Sequence, residues 1–370
     1  MKNFLNSLFS HSKLSPEDYY KSGKNKIEQN NYRGAIEDFS KGIELLQIQN
    51  KNEVQKHSNS SESWKTMVSD LVNGNLGPFF TMRAFAKEKL GDYNGAAQDQ
   101  LANTKLFPFI AHGFHNLGEL KIRMGNYNEA IEAFTKTIEL TEKAQDSNGL
   151  ITGFEAIDLT YMGRGFAKNE IKDFAGAILD YTVALEISPD WIQGYNQRAR
   201  CYMAIGEKDK NENNFTNAIN DFNVIIDNKP DGYLYCNRGR CKLMLQDYHG
   251  AYIDLTKSIT LKPNDFLPYF FRGLVYVNLN NNKETISDFT KVSKNYKVAI
   301  SDFTKVIELD PKYGEAYLHR GLCKRCLNDS EGANLDLTKA EALGQSLPPG
   351  GIKGSMVITV YEATYYLPKE

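Results

Sequence analysis

Apolar and polar positions fall into short amphipathic blocks that recur along the chain, and their spacing predicts helices throughout. The segment Gly125-Asn-Tyr-Asn-Glu-Ala-Ile-Glu-Ala-Phe134 returns with variations near Asn31, Gly91, Lys172, Gln246 and Asn328. In each copy a polar turn leads to an alanine, one of Ala35, Ala96, Ala130, Ala177, Ala218, Ala251, Ala299 and Ala333. Four residues after it stands Phe39, Gln100, Phe134, Tyr181, Phe222, Leu255, Phe303 or Leu337, apolar in every case but Gln100. Upstream of each turn a second pattern places an aromatic four residues before a glycine: Tyr19 with Gly23, Phe114 with Gly118, Tyr161 with Gly165, Tyr235 with Gly239, Tyr269 with Gly273, Tyr317 with Gly321. Pro108, Pro189, Pro230, Pro263 and Pro311 fall where the second helix of a pair should end. The first pair opens on Ser15-Pro16-Glu17-Asp18, an N-cap, a proline at the first helical position and two acids in the first turn.

Aromatic–Gly spacing, Ala–Phe spacing, terminal proline and period together resemble the tetratricopeptide repeat, whose unit is a 34-residue helix hairpin. The resemblance covers most of the chain and implies an all-α, right-handed solenoid of about eight hairpins, starting near Pro16, Gly77, Ala111, Asp158, Ile192, Gly232, Phe266 and Gly314. On this division residues 1–15 form an N-terminal segment, 16–347 the solenoid and 348–370 a C-terminal tail. Residues 50–76 and 145–157 interrupt the repeats, and Ser63–Val72 reads as an extra helix. About seven additional residues near 207–213 are expected at the turn within repeat five. In repeat seven, Thr285–Val292 is copied as Ala299–Val306, giving an insertion at 285–298. The 14-residue offset is close to four helical turns and keeps one face inward. The tail, rich in β-branched and aromatic residues from Met356 to Leu367, reads as short and non-helical or strand-like, packed on the last repeat or in the groove.

The repeats weigh candidate chemistry against structure. Arg83, Arg164, Arg198, Arg238, Arg272 and Arg320 each precede the small first-helix residue, and Asp99, Asp180, Asp221, Asp254, Asp302 and Asp336 stand three residues after the second-helix alanine. Because the two positions face each other across a hairpin, an Arg–Asp bridge is the first reading; a cationic ladder for an acidic peptide is the alternative. Repeat three has Leu117 and Ala133 at these places, and repeat one pairs Ser22 with Asp38. Cys201, Cys241 and Cys323 share a position that elsewhere holds Ala86, Ala167 or Val275, which reads as packing, with redox or zinc chemistry at Cys323-x-x-Cys326 the weaker reading. His112, His115 and Glu119 share a face but match no fuller metal-ligand pattern. No phosphate-binding glycine loop, nucleophile elbow or zinc-protease motif occurs, so no enzyme, cofactor or metal is expected.

In proteins of the resembled family the first helices line a concave groove for a peptide or partner helix. Carried over, this implies a polar N-terminal zone of Glu17, Tyr20, Lys24, Glu28, Glu88, Lys89, His112, His115, Glu119 and Arg123. It also implies an exposed, mostly apolar zone of Met162, Phe166, Met203, Cys236, Leu243, Met244, Phe270, Leu274, Val277, Leu318 and Leu322. Asn196, Arg200, Asn237, Arg240 and Arg325 stud that zone with polar groups. The clamp that co-chaperone-type members use for a C-terminal carboxylate is not assembled: Tyr20, Lys24, His112 and Asn116 stand at its positions, with no matching Asn in the second repeat. The implied function is a non-enzymatic scaffold for a protein or peptide partner, with self-association through the groove or terminal repeat as the alternative.

Composition narrows the setting. Forty-four basic against 46 acidic residues give a net charge of −2, which argues against nucleic acid as a partner. No apolar run reaches the roughly 18 residues that span a bilayer, and the opening MKNFLNSLFSHSK lacks a continuous apolar stretch of a signal peptide. Five cysteines, few and odd in number, fit a reducing, cytoplasmic compartment.

Overall fold

Each helix pair forms because a short turn chemistry stops one helix and starts the next. A residue in the left-handed region ends the first helix: Asn30, Gly91, Gly125, Lys172, Lys210, Gln246 or Asn328. The next residue caps the second helix. Asp92, Asp173, Asp247 and Asp329 accept the backbone N–H of Gly95, Gly176, Gly250 and Gly332 at 2.9–3.0 Å. A Cβ on any of those glycines would lie 2.1–2.3 Å from the capping carboxylate, which would have to swing aside to admit it. The first helix of the chain uses a capping box in which Ser15 and Asp18 bond reciprocally.

A computed structural model describes residues 14–56, 75–144, 153–280 and 289–345. Among them the chain is all α-helix, with no strand. It divides into two compact units, Met1–Ser188 and Pro189–Glu370. Unit one holds four hairpins: α1 (Pro16–Glu28) with α2 (Tyr32–Lys56), α3 (Gly77–Lys89) with α4 (Tyr93–Leu106), α5 (Ala111–Arg123) with α6 (Tyr127–Ala144), and α7 (Ile157–Glu170) with α8 (Phe174–Ile187). Unit two holds four more: α9 (Ile192–Asp209) with α10 (Glu212–Asn228), α11 (Gly232–Met244) with α12 (Tyr248–Leu261), α13 (Leu267–Leu279) with α14 (Phe289–Leu309), and α15 (Gly314–Cys326) with α16 (Ser330–Ala342). Within each unit the first helix of every later hairpin packs on the second helix of the one before, the stacking of a helical solenoid.

The seam inside a hairpin is the glycine of the first helix against the bulky residue of the second. A Cβ on Gly118 would lie 2.7 Å from the Phe134 ring, and one on Gly273 2.7 Å from Phe303. Phe39, Phe134, Phe222, Leu255 and Phe303 are fully buried there. No described helix is long and apolar enough to cross a membrane.

One of the two insertions resolves differently from expectation. The extra residues of repeat five are not a longer turn. They extend both helices, α9 to 18 residues and α10 to 17, around the usual left-handed turn at Lys210. Glu207-Lys-Asp209 contains only residues that a helix tolerates, so the helix continues through them and ends at Lys210. In repeat seven the second copy supplies Ala299, Phe303 and Val306 to the core, and α14 begins ten residues earlier, at Phe289. There Asn280 donates to the Val292 carbonyl at 3.2 Å and accepts from Asn295 at 2.8 Å. The expected helix at 63–72 and the tail after 347 lie outside the described residues.

Candidate functional site

The recurring arginines are structural staples. Arg83, Arg164, Arg198, Arg238, Arg272 and Arg320 grip Asp99, Asp180, Asp221, Asp254, Asp302 and Asp336 bidentately. Their Nη2–Oδ1 distances are 2.6–2.8 Å and their Nε–Oδ2 distances 2.8–3.0 Å. The aspartates are only 1–5% exposed, so no ligand ladder is presented. Each guanidinium also lies 5.4–5.8 Å from the aromatic ring three residues before it, which gives the aromatic–Gly spacing a second purpose.

A third arm was not read from the sequence. Nη1 reaches into the preceding hairpin, to a Ser, Thr or Asn five residues after its second-helix alanine. The bonds are Arg83 to Ser40 at 3.0 Å, Arg164 to Thr135 at 3.1 Å, Arg238 to Asn223 at 2.7 Å, Arg272 to Thr256 at 3.3 Å and Arg320 to Thr304 at 3.1 Å. One side chain therefore ties its own hairpin together and fastens it to its predecessor. Repeat one, the first of the described hairpins, has Ser22 instead of arginine, and Lys26 takes over Asp38 at 2.7 Å. The same lysine position adds Lys87, Lys168, Lys242 and Lys324 to four of the aspartates at 2.8–2.9 Å. The electrostatics follow. Burial pushes the Asp221 and Asp302 carboxyls up, beyond what one arginine each pulls back. Burial pushes Asp336 up as well, but Arg320 and Lys324 together hold it below the ordinary carboxylate range.

The expected exposed apolar zone is corrected. Met203, Cys236, Leu243, Met244, Phe270, Leu274, Val277 and Leu322 are all buried, at most 9% exposed. Consecutive first helices approach one another, as α11 and α13 do, and bury these positions between hairpins. Phe270, for example, meets Phe303 of its own hairpin at 5.8 Å and Tyr313 and His319 of the next at 5.1 and 5.6 Å. Met162, Phe166, Asn196, Arg200, Asn237, Arg240 and Leu318 remain half-buried. Arg240 is committed: it pairs with Glu207 of the lengthened α9 at 2.6 Å and stacks over Phe271 at 5.2 Å. Asn196, Arg200 and Asn237 make no side-chain hydrogen bond or ion pair among the described residues, and Arg325 is exposed.

In unit one Glu17, Lys24, Glu28, Lys89, His112 and Arg123 are exposed, Tyr20 packs on Phe79 at 5.0 Å, and Glu88 pairs with Arg123. His115 turns inward. Its Nδ1 lies 3.0 Å from Thr160 Oγ1 and its ring stacks on Phe154 at 4.2 Å, and burial, with the neighbouring His112 charge, lowers its pKa to about 4. Burial also raises Glu119. No group of three or more His, Cys, Asp or Glu side chains among the described residues is placed to hold a metal ion. Cys201, Cys236, Cys241 and Cys323 are buried thiols outside any disulfide, and Cys326 is half-buried. Burial raises Cys201 to about 12, the opposite of an activated thiolate.

Comparison with known proteins agrees with this geometry. Residues 111–143, the third hairpin, match the family model of the tetratricopeptide repeat. Tetratricopeptide repeat protein 13 of Homo sapiens is 26% identical over 199 residues, covering 52% of this chain and 21% of its own length. Heat shock protein STI1 of Saccharomyces cerevisiae is 27% identical over 100 residues, 27% of this chain and 15% of its own. The chain thus spans about a fifth or less of these relatives. A tetratricopeptide repeat protein from Parabacteroides merdae is a solved structure similar to 73% of this chain and 93% of its own, at 19% identity and a TM-score of 0.45. With the hairpin, its glycine–aromatic seam and its capped turn repeated along both units, the chain is similar to tetratricopeptide-repeat proteins, and its third hairpin matches the repeat's family model.

Proposed function

We propose that this chain is a protein-binding scaffold whose unit two holds an extended segment of a partner along its first helices. The observation that carries the reading is the set of uncommitted polar groups at Asn196, Arg200 and Asn237. Almost every other recurrent cation of the repeats is tied to an acid or an aromatic ring, whereas these side chains are half-exposed and make no such bond among the described residues. An asparagine amide offers one acceptor and two donors, the complement of a peptide group, and a free guanidinium suits a carboxylate or a backbone carbonyl. The buried staples keep the hairpins rigid, so the ordering cost of binding falls on the partner segment.

The test is selection of a phage-displayed random peptide library on the full chain, followed by titration of the recovered peptides. Arg200→Ala with Asn237→Ala should weaken them at least tenfold, about 1.4 kcal/mol. Folding should be unchanged, since exposed substitutions of this kind stay within about 0.5 kcal/mol. Peptides that bind the double variant as well as the parent chain would sink the reading.

A further inference from the structure

Among the hairpins that follow another within their unit, hairpin three alone lacks the arginine staple, and it lacks every part of it at once. Leu117 stands for the arginine, Ala133 for the aspartate and Leu101 of α4 for the hydroxyl or amide acceptor, while Phe114 keeps the aromatic place with no guanidinium over it. Where the other hairpins hold a guanidinium and its partners, this one has a hollow of about 430 Å³. Its walls are the second helices α4 and α6 and its floor is α5. It continues into a second hollow of about 410 Å³, which shares Asn94 and Met124 with the first and ends between the turns at Gly91 and Asn126. From Asn94 to Leu101 the wall runs seven helical steps, about 10 Å. The lining of the first hollow is mainly apolar, with Leu101 45% exposed on it, and that of the second is mainly polar.

We infer that this trench is a second docking site, distinct from the first-helix surface, for an amphipathic helix of a partner protein. That helix would seat a Leu, Met or Phe on Leu101, Phe114 and Leu117 and carry a Lys or Arg beside it. The trench's length and open top suit a helix face, read through spaced apolar anchors, and an exposed apolar strip rimmed by polar groups is what such a partner covers. Charge selects the flanking residue. The two bases on the rim are already neutralised, Lys121 by Glu129 and Lys136 by Glu139 at 3.2 Å. The rim acids Asp92 and Glu132 have no basic partner among the described residues. A cation on the incoming helix completes them, and an acid there is repelled.

The experiment is fluorescence anisotropy of a labelled synthetic helix built from Leu, Ala and Lys, beside its twin with Glu for Lys, titrated with the full chain. The Lys helix should bind saturably and the Glu helix at least tenfold more weakly. Leu101→Thr with Leu117→Arg and Ala133→Asp fills the trench with the staple used elsewhere and should cost the Lys helix at least tenfold. Should that variant fold poorly, the exposed Glu132→Lys should weaken the Lys helix and strengthen the Glu helix. Arg200→Ala with Asn237→Ala should change neither, which separates this site from the first-helix surface. Equal binding of the two helices, undiminished binding to the filled trench, no binding at all, or saturation by a small apolar dye with neither helix bound overturns the inference.

Discussion

Arg272 holds both carboxylate oxygens of Asp302, at 2.8 and 3.0 Å, and no lysine among the described residues shares that buried acid, because Tyr276 occupies the position where Lys242 serves Asp254. The two otherwise equivalent staples should therefore fail differently. Arg272→Ala strands a carboxylate that is 5% exposed and should cost about 3–5 kcal/mol. Arg238→Ala leaves Lys242 on Asp254 and should cost no more than about 2 kcal/mol. Urea unfolding of both variants decides it; equal losses would mean that the lysines compensate nothing.

The turns offer a gain instead of a loss. Lys172 and Gln246 adopt φ of 64° and 61°, the conformation that Gly91 and Gly125 fill at 78° and 74° in equivalent turns. A side chain there costs about 1–2 kcal/mol, and the extra freedom of an unfolded glycine returns part of it. Gln246→Gly should raise stability by up to about 1 kcal/mol, and Gly125→Gln should lower it by about the same amount. Thermal melts of the pair must move in opposite directions.

The hairpins were legible because their signals are local. A polar turn leading to an alanine, that alanine four before an aromatic, and an arginine beside glycine all lie within one repeat. The third arm of the staple was not legible, since Ser40, Thr135 and Thr256 belong to the hairpin before their arginine and vary in type. The burial of Phe270 and Leu274 was misread for a related reason. Whether a first-helix side chain faces a partner or the next first helix depends on how closely successive hairpins approach, and no single repeat encodes that distance. Repeat three's missing Arg and Asp were visible; that their loss leaves a trench needed Leu101, one hairpin upstream.

Histidine burial sets an acid limit on stability. His115, 7% exposed, has its pKa lowered to about 4, and His319, half-buried against Phe303 at 5.7 Å, likewise to about 4. The unfolded chain takes up these protons near 6.5, the folded chain only near 4. Between those values the unfolded state binds more protons, so stability is fully present above about pH 6.5 and falls as the pH drops toward 4. For His115 the loss from about pH 7.5 to about pH 5 should be on the order of 2 kcal/mol. His115→Gln should remove that share of the pH dependence, read from denaturant midpoints at the two pH values; an unchanged slope would place the titration elsewhere.

Rebuilding the staple in hairpin three measures how far its members depend on one another. Leu117→Arg alone introduces a guanidinium at a position 8% exposed, opposite Ala133 and Leu101, without the buried aspartate that its counterparts grip. Ala133→Asp alone buries a carboxylate without its fork. Each should cost about 2–3 kcal/mol, the penalty of an unsatisfied buried polar or charged group. Combined with Leu101→Thr, the three side chains can adopt the geometry already present at Arg164, Asp180 and Thr135, and the triple variant should recover most of the loss. The coupling free energy should reach about 1–3 kcal/mol, within the range for residues that share one network. Additive losses across the cycle would mean that the backbone of hairpin three does not hold the staple's register, and that its apolar residues are there because the register had already been lost.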